Sequence, residues 1–472
     1  MSAFPELSLE PVAPGPAGWC ARGMGAFVRR LHALFDCLPL IWLAWSLPFG
    51  LAVAWITPPW QVPDEPAHFL RMMDVSFGGM IGARNPAGGE GLGTIDPAAV
   101  PAFLTFADLP FHAERKDTLS LETKGRDGRW SGQKQSFGLV NTSVYPPVFY
   151  APGALSMVAT RARVADFVDS LLCARGINLV LGCVMIAIGL ALARRIRLAL
   201  LACAVLPMNI FMMASANQDA LLIAALMMAA GWCDGVGARG EAAKRWELVV
   251  LAVLLACAGM ARPTHLFLLG LLPLAWTRRR EALVAAALAA CGVLAWIVAC
   301  LPIMPTHPGA SVVEQCRFLA GHVADLPGLL ARTWQQNHTF YWFSFVGILG
   351  WLDTFLPRWF YLAVPLPLGL AFLSASSRRG RRPAVALAAV LLGVAATFVI
   401  EYLTWSPVGN PVIEGVQGRY LLPFAPVLAL AVPACPAIGR RIVPWAVAAV
   451  LALMLVVPAV TLRTLMLRYY LG

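Results

Sequence analysis

Residues 38–57 read LPLIWLAWSLPFGLAVAWIT, and residues 58–69, which follow directly, read PPWQVPDEPAHF. An apolar run of about 20 residues is long enough to cross the hydrocarbon core of a bilayer as a helix. The carboxyl groups of Asp64 and Glu65 and the imidazole of His68 therefore come just after the first predicted membrane span. Paired acids in this place indicate chemistry at a membrane surface.

The composition of the whole chain is that of a membrane protein. Of its 472 residues 59% are hydrophobic and 13% are charged, and the apolar residues stand in long blocks. This pattern excludes a soluble fold and predicts an all-α integral membrane protein with about eleven membrane segments. The net charge of +11 comes from Arg clusters between apolar runs, where they orient a membrane protein, so no nucleic-acid partner is predicted.

The basic clusters predict the topology. Residues 1–37 are expected to form a cytoplasmic, disordered segment, and residues 38–472 a polytopic domain. Residues 58–148 are the first outer loop, and residues 302–357 are the second, ending in an interfacial aromatic helix from residue 341. By the positive-inside rule the cytoplasmic side carries the clusters Arg29/Arg30, Arg194/Arg195/Arg197, Lys244/Arg245, Arg278–Arg280, Arg378–Arg382 and Arg440/Arg441.

Residues 248–276 predict a short broken hairpin, because basic residues flank this apolar segment on both sides. Each arm of about thirteen residues spans roughly 20 Å, which is less than the hydrocarbon core. Arg262 at the turn then lies within the bilayer and needs a polar cavity or a counter-charge. The alternative is one long helix kinked at Pro263, with Arg262 reaching to the interface.

A short outer helix is predicted for residues 66–77, because Pro66 suits a first helical position and Gly78 follows the last turn. Two interpretations of the acids before it stay open. They could do chemistry, or they could cap the helix together with His68. Glu65 and His68 could also hold a divalent cation, although two ligands fall short of a metal site, and no cofactor is certain.

The stretch at residues 58–69 resembles the signature of a bacterial polytopic membrane family of unknown function, similar in layout to the GT-C glycosyltransferases. The resemblance implies a multi-pass inner-membrane enzyme with a cytoplasmic N-terminus and a periplasmic working face. It further implies transfer of a sugar from a polyprenyl-phosphate carrier to a glycan, lipid or protein acceptor. Further matches are YPPVFYAP at 145–152, NQD at 217–219, GMARPT at 259–264, residues 343–356, and QGRY at 417–420.

Asp64 matches the acid that GT-C enzymes carry in the first outer loop, and Glu65 lies beside it as a second catalytic candidate. A carboxylate can take the proton from an acceptor hydroxyl as the sugar is transferred. The charge that develops on the phosphate leaving group must be met by cations. Arg262 and Arg419 are predicted to supply them, with bidentate geometry available to each guanidinium.

Other polar residues complete the predicted substrate-binding set. Arg419 could have a structural role instead of binding phosphate, because it could form an ion pair with Glu414 or Glu401. An acid at an outward turn, such as Asp219, could equally be an ordinary turn or cap residue. The remaining predicted substrate-binding residues are His68, Tyr145 and Asp219.

Two other functions stay open. A translocase for lipid-linked saccharides would place charges along a path through the bilayer, whereas this sequence gathers them toward one side. A non-catalytic membrane subunit of a surface-polysaccharide complex would need Asp64 only as a helix cap.

Overall fold

The computed structural model describes residues 16–86, 90–304, 309–375, 382–433 and 436–471. Helices dominate these ranges, and the strands form two small antiparallel pairs. The predicted fold class, an all-α membrane protein, is confirmed.

The helices run from a long N-terminal element to a long C-terminal one. They are α1 (Pro16–Ile56), α2 (Glu65–Ser76), α3 (Ala99–Leu104), α4 (Leu119–Gly125), α5 (Ala151–Ala162), α6 (Phe167–Leu192), α7 (Arg197–Ala204), α8 (Pro207–Met213), α9 (Gln218–Arg239), α10 (Arg245–Ala261), α11 (Leu271–Ala275), α12 (Arg279–Cys300), α13 (Val312–Gly321), α14 (Leu326–Val346), α15 (Arg358–Ala363), α16 (Pro365–Ser374), α17 (Arg382–Thr404), α18 (Ala425–Leu428) and α19 (Pro436–Tyr469).

Strands β1 (Leu92–Ile95) and β2 (Gln135–Gly138) pair in the first outer loop, and β3 (Ile348–Leu349) pairs with β4 (Thr354–Phe355). Short 3-10 turns cover Pro147–Phe149, Gly240–Ala242, Pro263–Gly270, Leu301–Ile303, Val323–Asp325, Gly418–Leu421 and Ala429–Ala431.

Six helices in the described ranges are long and apolar enough to cross a bilayer. They are α6, α9, α12, α17, and the apolar parts of α1 and α19. The other predicted segments are helical too, but each is shorter or interrupted. They are α7 with α8, α10, the run Pro263–Ala275, the run Arg358–Ser374, and the turns around α18.

Helix α1 begins at Pro16, well before the predicted span. The expectation of disorder for residues 1–37 therefore differs from the structure from Pro16 onward. Proline costs little in a first helical turn, where its missing N–H has no helical partner, and Ala, Arg and Leu favour the continuation. Residues 1–15 lie outside the described residues, as do residues 378–381 and the side chains of Arg29, Arg30 and Arg440.

Helix α9 lies at the centre of the protein, and nearly all of its residues are buried. It packs against α6, which also packs against α1. A Cβ atom on Gly231 of α9 would lie 2.2 Å from the carbonyl oxygen of Gly189 in α6, so the two backbones touch. Small residues permit this close approach of helices in a membrane.

The predicted break at Arg262 is present. Helix α10 ends at Ala261, Arg262 is extended with φ −141° and ψ 110°, and the following 3-10 turn leads into α11. Arg245 Nη2, at the start of α10, donates to Glu281 Oε1, at the start of α12, over 2.8 Å. The chain therefore enters and leaves this segment at the same end, which confirms the hairpin and excludes one long kinked helix.

The predicted aromatic helix over residues 341–356 is wrong beyond Val346, where α14 ends. Residues 348–355 form the β3–β4 hairpin instead, and Gly350 at its turn has φ +62°, a left-handed conformation that glycine adopts without strain. Trp351 Nε1 donates to the carbonyl oxygen of Trp60 over 3.0 Å. The second outer loop is thereby attached to the first.

A buried ion pair between Glu65 and Arg175 ties α2 to α6. Arg175 Nε and Nη2 donate to Glu65 Oε1 and Oε2 over 2.9 and 2.6 Å, and both side chains are fully buried. Glu65 Oε1 also accepts from the Ala216 N–H, just before α9, over 2.9 Å. Arg175 further donates to carbonyl oxygens at the C-terminal end of α1, which have no helical partner of their own: Ala54, Thr57 and Pro58.

We expect Glu65→Ala to lower the free energy of unfolding by about 3–5 kcal/mol, because Arg175 is left as an uncompensated buried charge. Thermal unfolding of the detergent-solubilised protein and its yield as a monodisperse species measure the effect. The matched control is Asp169→Ala, which removes a half-exposed partner of Arg126 and should cost less than about 1 kcal/mol. Equal losses in the two variants would show that the buried pair has no special structural role.

Candidate functional site

A cavity of about 340 Å³ lies where α2, the break after α10, α12, α17 and the turn at Gly418 meet. We call its polar lining residues the polar wall and its apolar lining residues the apolar wall. The polar lining includes Asp64, His68, Tyr145, Arg262, Glu401, Gln417 and Tyr420, and the apolar lining includes Met260, Trp296, Ile297, Met304 and Ile400.

Asp64 reaches the cavity in an unusual backbone conformation. Its φ of 62° is left-handed, which is uncommon outside glycine, and its Oδ2 accepts from Arg419 Nη2 over 2.6 Å. Within the described residues its side chain caps no backbone N–H of α2. The capping alternative for Asp64 is therefore wrong, and Asp64 replaces Glu414 and Glu401 as the partner of Arg419.

The turn that carries Arg419 is set by its contact with α14. A Cβ atom on Gly418 would lie 1.9 Å from the carbonyl oxygen of Tyr341, so any larger residue would push the turn away from that helix. The Gly418 N–H donates to Ser344 Oγ over 2.8 Å. Arg419 itself is 2% exposed, whereas Asp64 is 51% exposed. The arginine is thus fixed and the carboxylate is open to the cavity.

Arg262 meets a counter-charge, as its predicted depth requires. Its Nη2 donates to both carboxylate oxygens of Asp219 over 2.9 and 2.7 Å, and Nε adds a third bond over 3.2 Å. Asn217 caps α9, since its Oδ1 accepts from the Asp219 N–H over 2.9 Å. Asp219 is not among the described residues that line the cavity, so its predicted contact with substrate is replaced by a role behind Arg262.

Tyr420 lies between the two guanidinium groups on the polar wall. The ring centroid is 4.2 Å from Arg262 Cζ and 5.4 Å from Arg419 Cζ, distances at which cation–π attraction operates. The ring therefore helps to hold both cations beside the cavity. Two neighbouring guanidinium groups are suited to an anion such as a phosphate.

His68 and two tyrosines form an aromatic group beside Asp64. His68 Nδ1 and Tyr150 Oη share a hydrogen bond of 2.6 Å, and the rings of His68 and Tyr145 stack with centroids 5.9 Å apart. Burial lowers the pKa of His68 from 6.5 to about 4, although the nearby Asp219 and Asp64 carboxylates act in the opposite direction. His68 is therefore a neutral hydrogen-bonding group at pH 7.

Glu65 does not join this site. It lies in the ion pair with Arg175, so the prediction of a catalytic role beside Asp64 is corrected to a structural one. Successive residues diverge here because one carboxylate must neutralise a buried arginine while the other faces the cavity. Glu65 and His68 also do not converge on a common point, and the described residues hold no group of three or more ligand side chains suited to a metal ion. The positions of Glu65 and His68 therefore do not fit the divalent-cation site considered for this pair.

Several cavity residues went unassigned in the sequence. The sequence predicts Glu401 only as a possible partner of Arg419, although a single acid inside the apolar run of α17 is itself a signal of function in a membrane. Gln417 and Tyr420 stand in the QGRY motif, of which only Arg419 is a predicted site residue. Their positions depend on how the turn at Gly418 packs on α14, and no sequence pattern specifies that contact.

The lowered pKa of His68 predicts a pH-dependent stability. Below pH 6.5 the unfolded chain binds a proton that the folded protein does not, so stability falls as the pH decreases from 6.5 toward 4, by up to roughly 3 kcal/mol. We expect His68→Gln to flatten this part of the curve. Thermal midpoints of wild type and variant between pH 7.5 and 4.5 test this. His112→Gln, at a surface contact with Glu114, should follow the wild-type curve; parallel curves for His68→Gln and wild type would contradict the prediction.

Comparisons with known proteins give one family. No curated protein and no solved structure matches the chain significantly. The family model described as a predicted membrane protein, DUF2142, matches residues 47–428, a range that contains every polar cavity residue from Asp64 to Tyr420. On this match, the chain belongs to the DUF2142 family of predicted membrane proteins.

Proposed function

We propose that this protein is a GT-C-type membrane glycosyltransferase, which transfers a sugar from a polyprenyl-phosphate carrier to a glycan, lipid or protein acceptor of the bacterial cell envelope. The observation that carries the proposal is the cavity itself. It is lined by the Asp64 carboxylate, the Arg262 guanidinium and several apolar side chains, and Arg419 donates a hydrogen bond to Asp64 from the adjoining turn. Its volume of about 340 Å³ lies in the range of small-molecule sites.

The donor must be amphipathic to use both walls. Arg262 and Arg419 offer charge-assisted hydrogen bonds to a phosphate. Part of the apolar wall, Trp296 and Ile297, comes from α12, few of whose residues are buried by other parts of the described protein. A helix of this kind faces lipid, so an isoprenoid chain can lie along it while the phosphate reaches the arginines. This division of the lining supports a lipid-linked donor over a water-soluble one.

The ion pair between Asp64 and Arg419 suggests how donor binding prepares the chemistry. A phosphate oxygen that bonds Arg419 competes with Asp64 Oδ2 for the same guanidinium. The freed carboxylate oxygen can then accept a hydrogen bond from the acceptor hydroxyl. In this scheme, binding of the anionic sugar donor makes Asp64 available as the base.

In the proposed transfer step, these residues account for the proton that is removed and for the charge that develops on the phosphate. The acceptor hydroxyl oxygen attacks the anomeric carbon, and its proton passes to Asp64. The bond between that carbon and the phosphate oxygen breaks, and its electron pair stays on the phosphate. Arg262 and Arg419 stabilise the added charge. The products are the glycosylated acceptor and polyprenyl phosphate.

A strain lacking this protein, complemented with variants, tests the role of Asp64. Asn tolerates a left-handed backbone, so Asp64→Asn keeps the local fold and removes the base. We expect the glycan product to fall at least about 100-fold while the lipid-linked donor accumulates, both measured by mass spectrometry. Asp108→Asn is the matched control, since Asp108 is an exposed acid of the same outer loop.

Membrane abundance of the two variants must be equal for the comparison to count. Full restoration of the glycan by Asp64→Asn would reject Asp64 as the base and would favour the translocase or the non-catalytic subunit.

We also propose that the cavity opens toward the periplasm. Cys316 is exposed on α13, which packs beside the loop that follows α17, and α13 is expected on the outer side. In a variant whose other cysteines are replaced by serine, Cys316 should therefore react with a membrane-impermeant maleimide in intact spheroplasts, and the further change Cys316→Ser should lose the label. Glu241→Cys, placed in the Cys316→Ser background at the turn between α9 and α10, should react only after permeabilisation. The reverse pattern would invert the orientation.

A further inference from the structure

Glu401 is the acid of the cavity whose charge is not compensated by a direct partner. Among the residues that the structure describes, Asp64 pairs with Arg419 and Asp219 pairs with Arg262, whereas the Glu401 carboxylate forms no ion pair and accepts no hydrogen bond. Glu401 lines the same cavity as Asp64 and as Arg262, an arginine of the predicted phosphate site.

The position of this carboxylate is fixed by a glycine. Gly415 has φ +83°, and a Cβ atom there would lie 2.7 Å from Glu401 Oε2 and 2.6 Å from Trp405 Cδ1. The carboxylate therefore lies directly against the backbone of the loop that follows α17. A larger residue at position 415 would displace it from the cavity wall.

A second hydrogen-bond acceptor that lacks a hydrogen-bond donor belongs to the polar wall. Gln417 lines the cavity, and its Oε1 is buried without a hydrogen-bond donor in the described part of the chain. Buried acceptors that lack donors cost free energy unless a ligand or water supplies them. A ligand that carries hydrogen-bond donors would therefore satisfy the acceptors of this wall.

Two kinds of group could supply hydrogen-bond donors to this wall, an ammonium group and a hydroxyl group. An ammonium group would be repelled by the guanidinium groups of Arg262 and Arg419, which face the same space. A hydroxyl group is neutral and can donate to a carboxylate without that repulsion. Phosphate brings acceptors rather than donors, so it does not satisfy this wall. The chemistry therefore favours the hydroxyl groups of a polyol such as a sugar.

We propose that Glu401, together with Gln417, binds hydroxyl groups of the acceptor and holds them beside Asp64. This inference rests on the proposed glycosyltransferase function. It divides the cavity into a phosphate subsite at Arg262 and Arg419 and a polyol subsite at Glu401 and Gln417. Glu401 is a substrate-binding residue in this scheme, and Asp64 remains the base.

The experiment has two readouts on full-length protein. Purified protein is tested for thermal stabilisation by polyprenyl monophosphate, with the uncharged prenol as the reference. The strain lacking the protein is complemented, and its glycans and lipid-linked sugars are measured by mass spectrometry. We expect Glu401→Gln to keep wild-type stabilisation by polyprenyl monophosphate but to lower the glycan product about 10- to 100-fold, the range expected when a charged hydrogen bond is lost. Arg419→Gln should lose the stabilisation.

The matched control is Glu414→Gln. Glu414 is an exposed acid of the adjoining loop, where it accepts from Asn410 Nδ2 over 2.7 Å, and it should restore the glycan like wild type. Gln417→Leu is a second variant of the same subsite and should behave like Glu401→Gln. It keeps the proposal testable if Glu401→Gln does not accumulate in the membrane.

The outcomes separate the two proposals. If wild type neither responds to polyprenyl monophosphate nor restores a glycan, the glycosyltransferase function itself fails. If wild type does both and the Glu401 and Gln417 variants restore the glycan fully, only the polyol subsite is overturned. Loss of the polyprenyl monophosphate response in Glu401→Gln would likewise overturn it, because Glu401 would then belong to the phosphate subsite.

Discussion

The buried ion pair between Glu65 and Arg175 is the constraint on which the cavity end of this protein depends. Taking a guanidinium and a carboxylate out of water is costly, and the cost is offset only when every hydrogen bond is made. Arg175 meets this condition by bonding Glu65 and the last carbonyl oxygens of α1, while Glu65 also bonds the chain before α9. Three membrane helices and α2 are joined at one point. Glu65 is thereby held inward, and the left-handed backbone of Asp64 directs the next carboxylate to the cavity.

The cavity itself is organised by charge pairing. Arg262 and Arg419 each have a carboxylate partner, and Tyr420 lies beside both cations. Such pairing lets two guanidinium groups remain near the apolar interior without an anionic ligand. The pairs differ in exposure. Asp219 is buried behind Arg262, whereas Asp64 is half exposed and lines the cavity. Glu401 belongs to neither pair. Together with Gln417 it adds hydrogen-bond acceptors to the polar wall.

The apolar wall connects the site to the membrane. Helix α12 is largely unburied along its length, yet its last turns are anchored to the loop before α5, since Trp296 Nε1 donates to the Val144 carbonyl oxygen over 3.0 Å. The same helix can therefore face lipid on one side and close the cavity on the other. A ligand that uses both walls must combine an apolar chain with a polar head, which is the physical basis of the proposed lipid-linked donor.

The sequence alone determined the membrane class, the short helix after Asp64 and the broken hairpin at Arg262, because bilayer thickness and charge asymmetry act on segment length and composition. It also brought Asp64, Arg262 and Arg419 into one candidate site through motifs. Only the tertiary structure separated Glu65 from Asp64, moved Asp219 behind Arg262, and placed Glu401 and Gln417 on the cavity wall. These assignments depend on which distant partner each polar group meets: Asp219 and Arg262 are 43 residues apart in the chain, and Glu65 and Arg175 are 110 apart. Local periodicity carries no information about such distant contacts, since the free energy that decides them is that of burial and pairing in the folded protein.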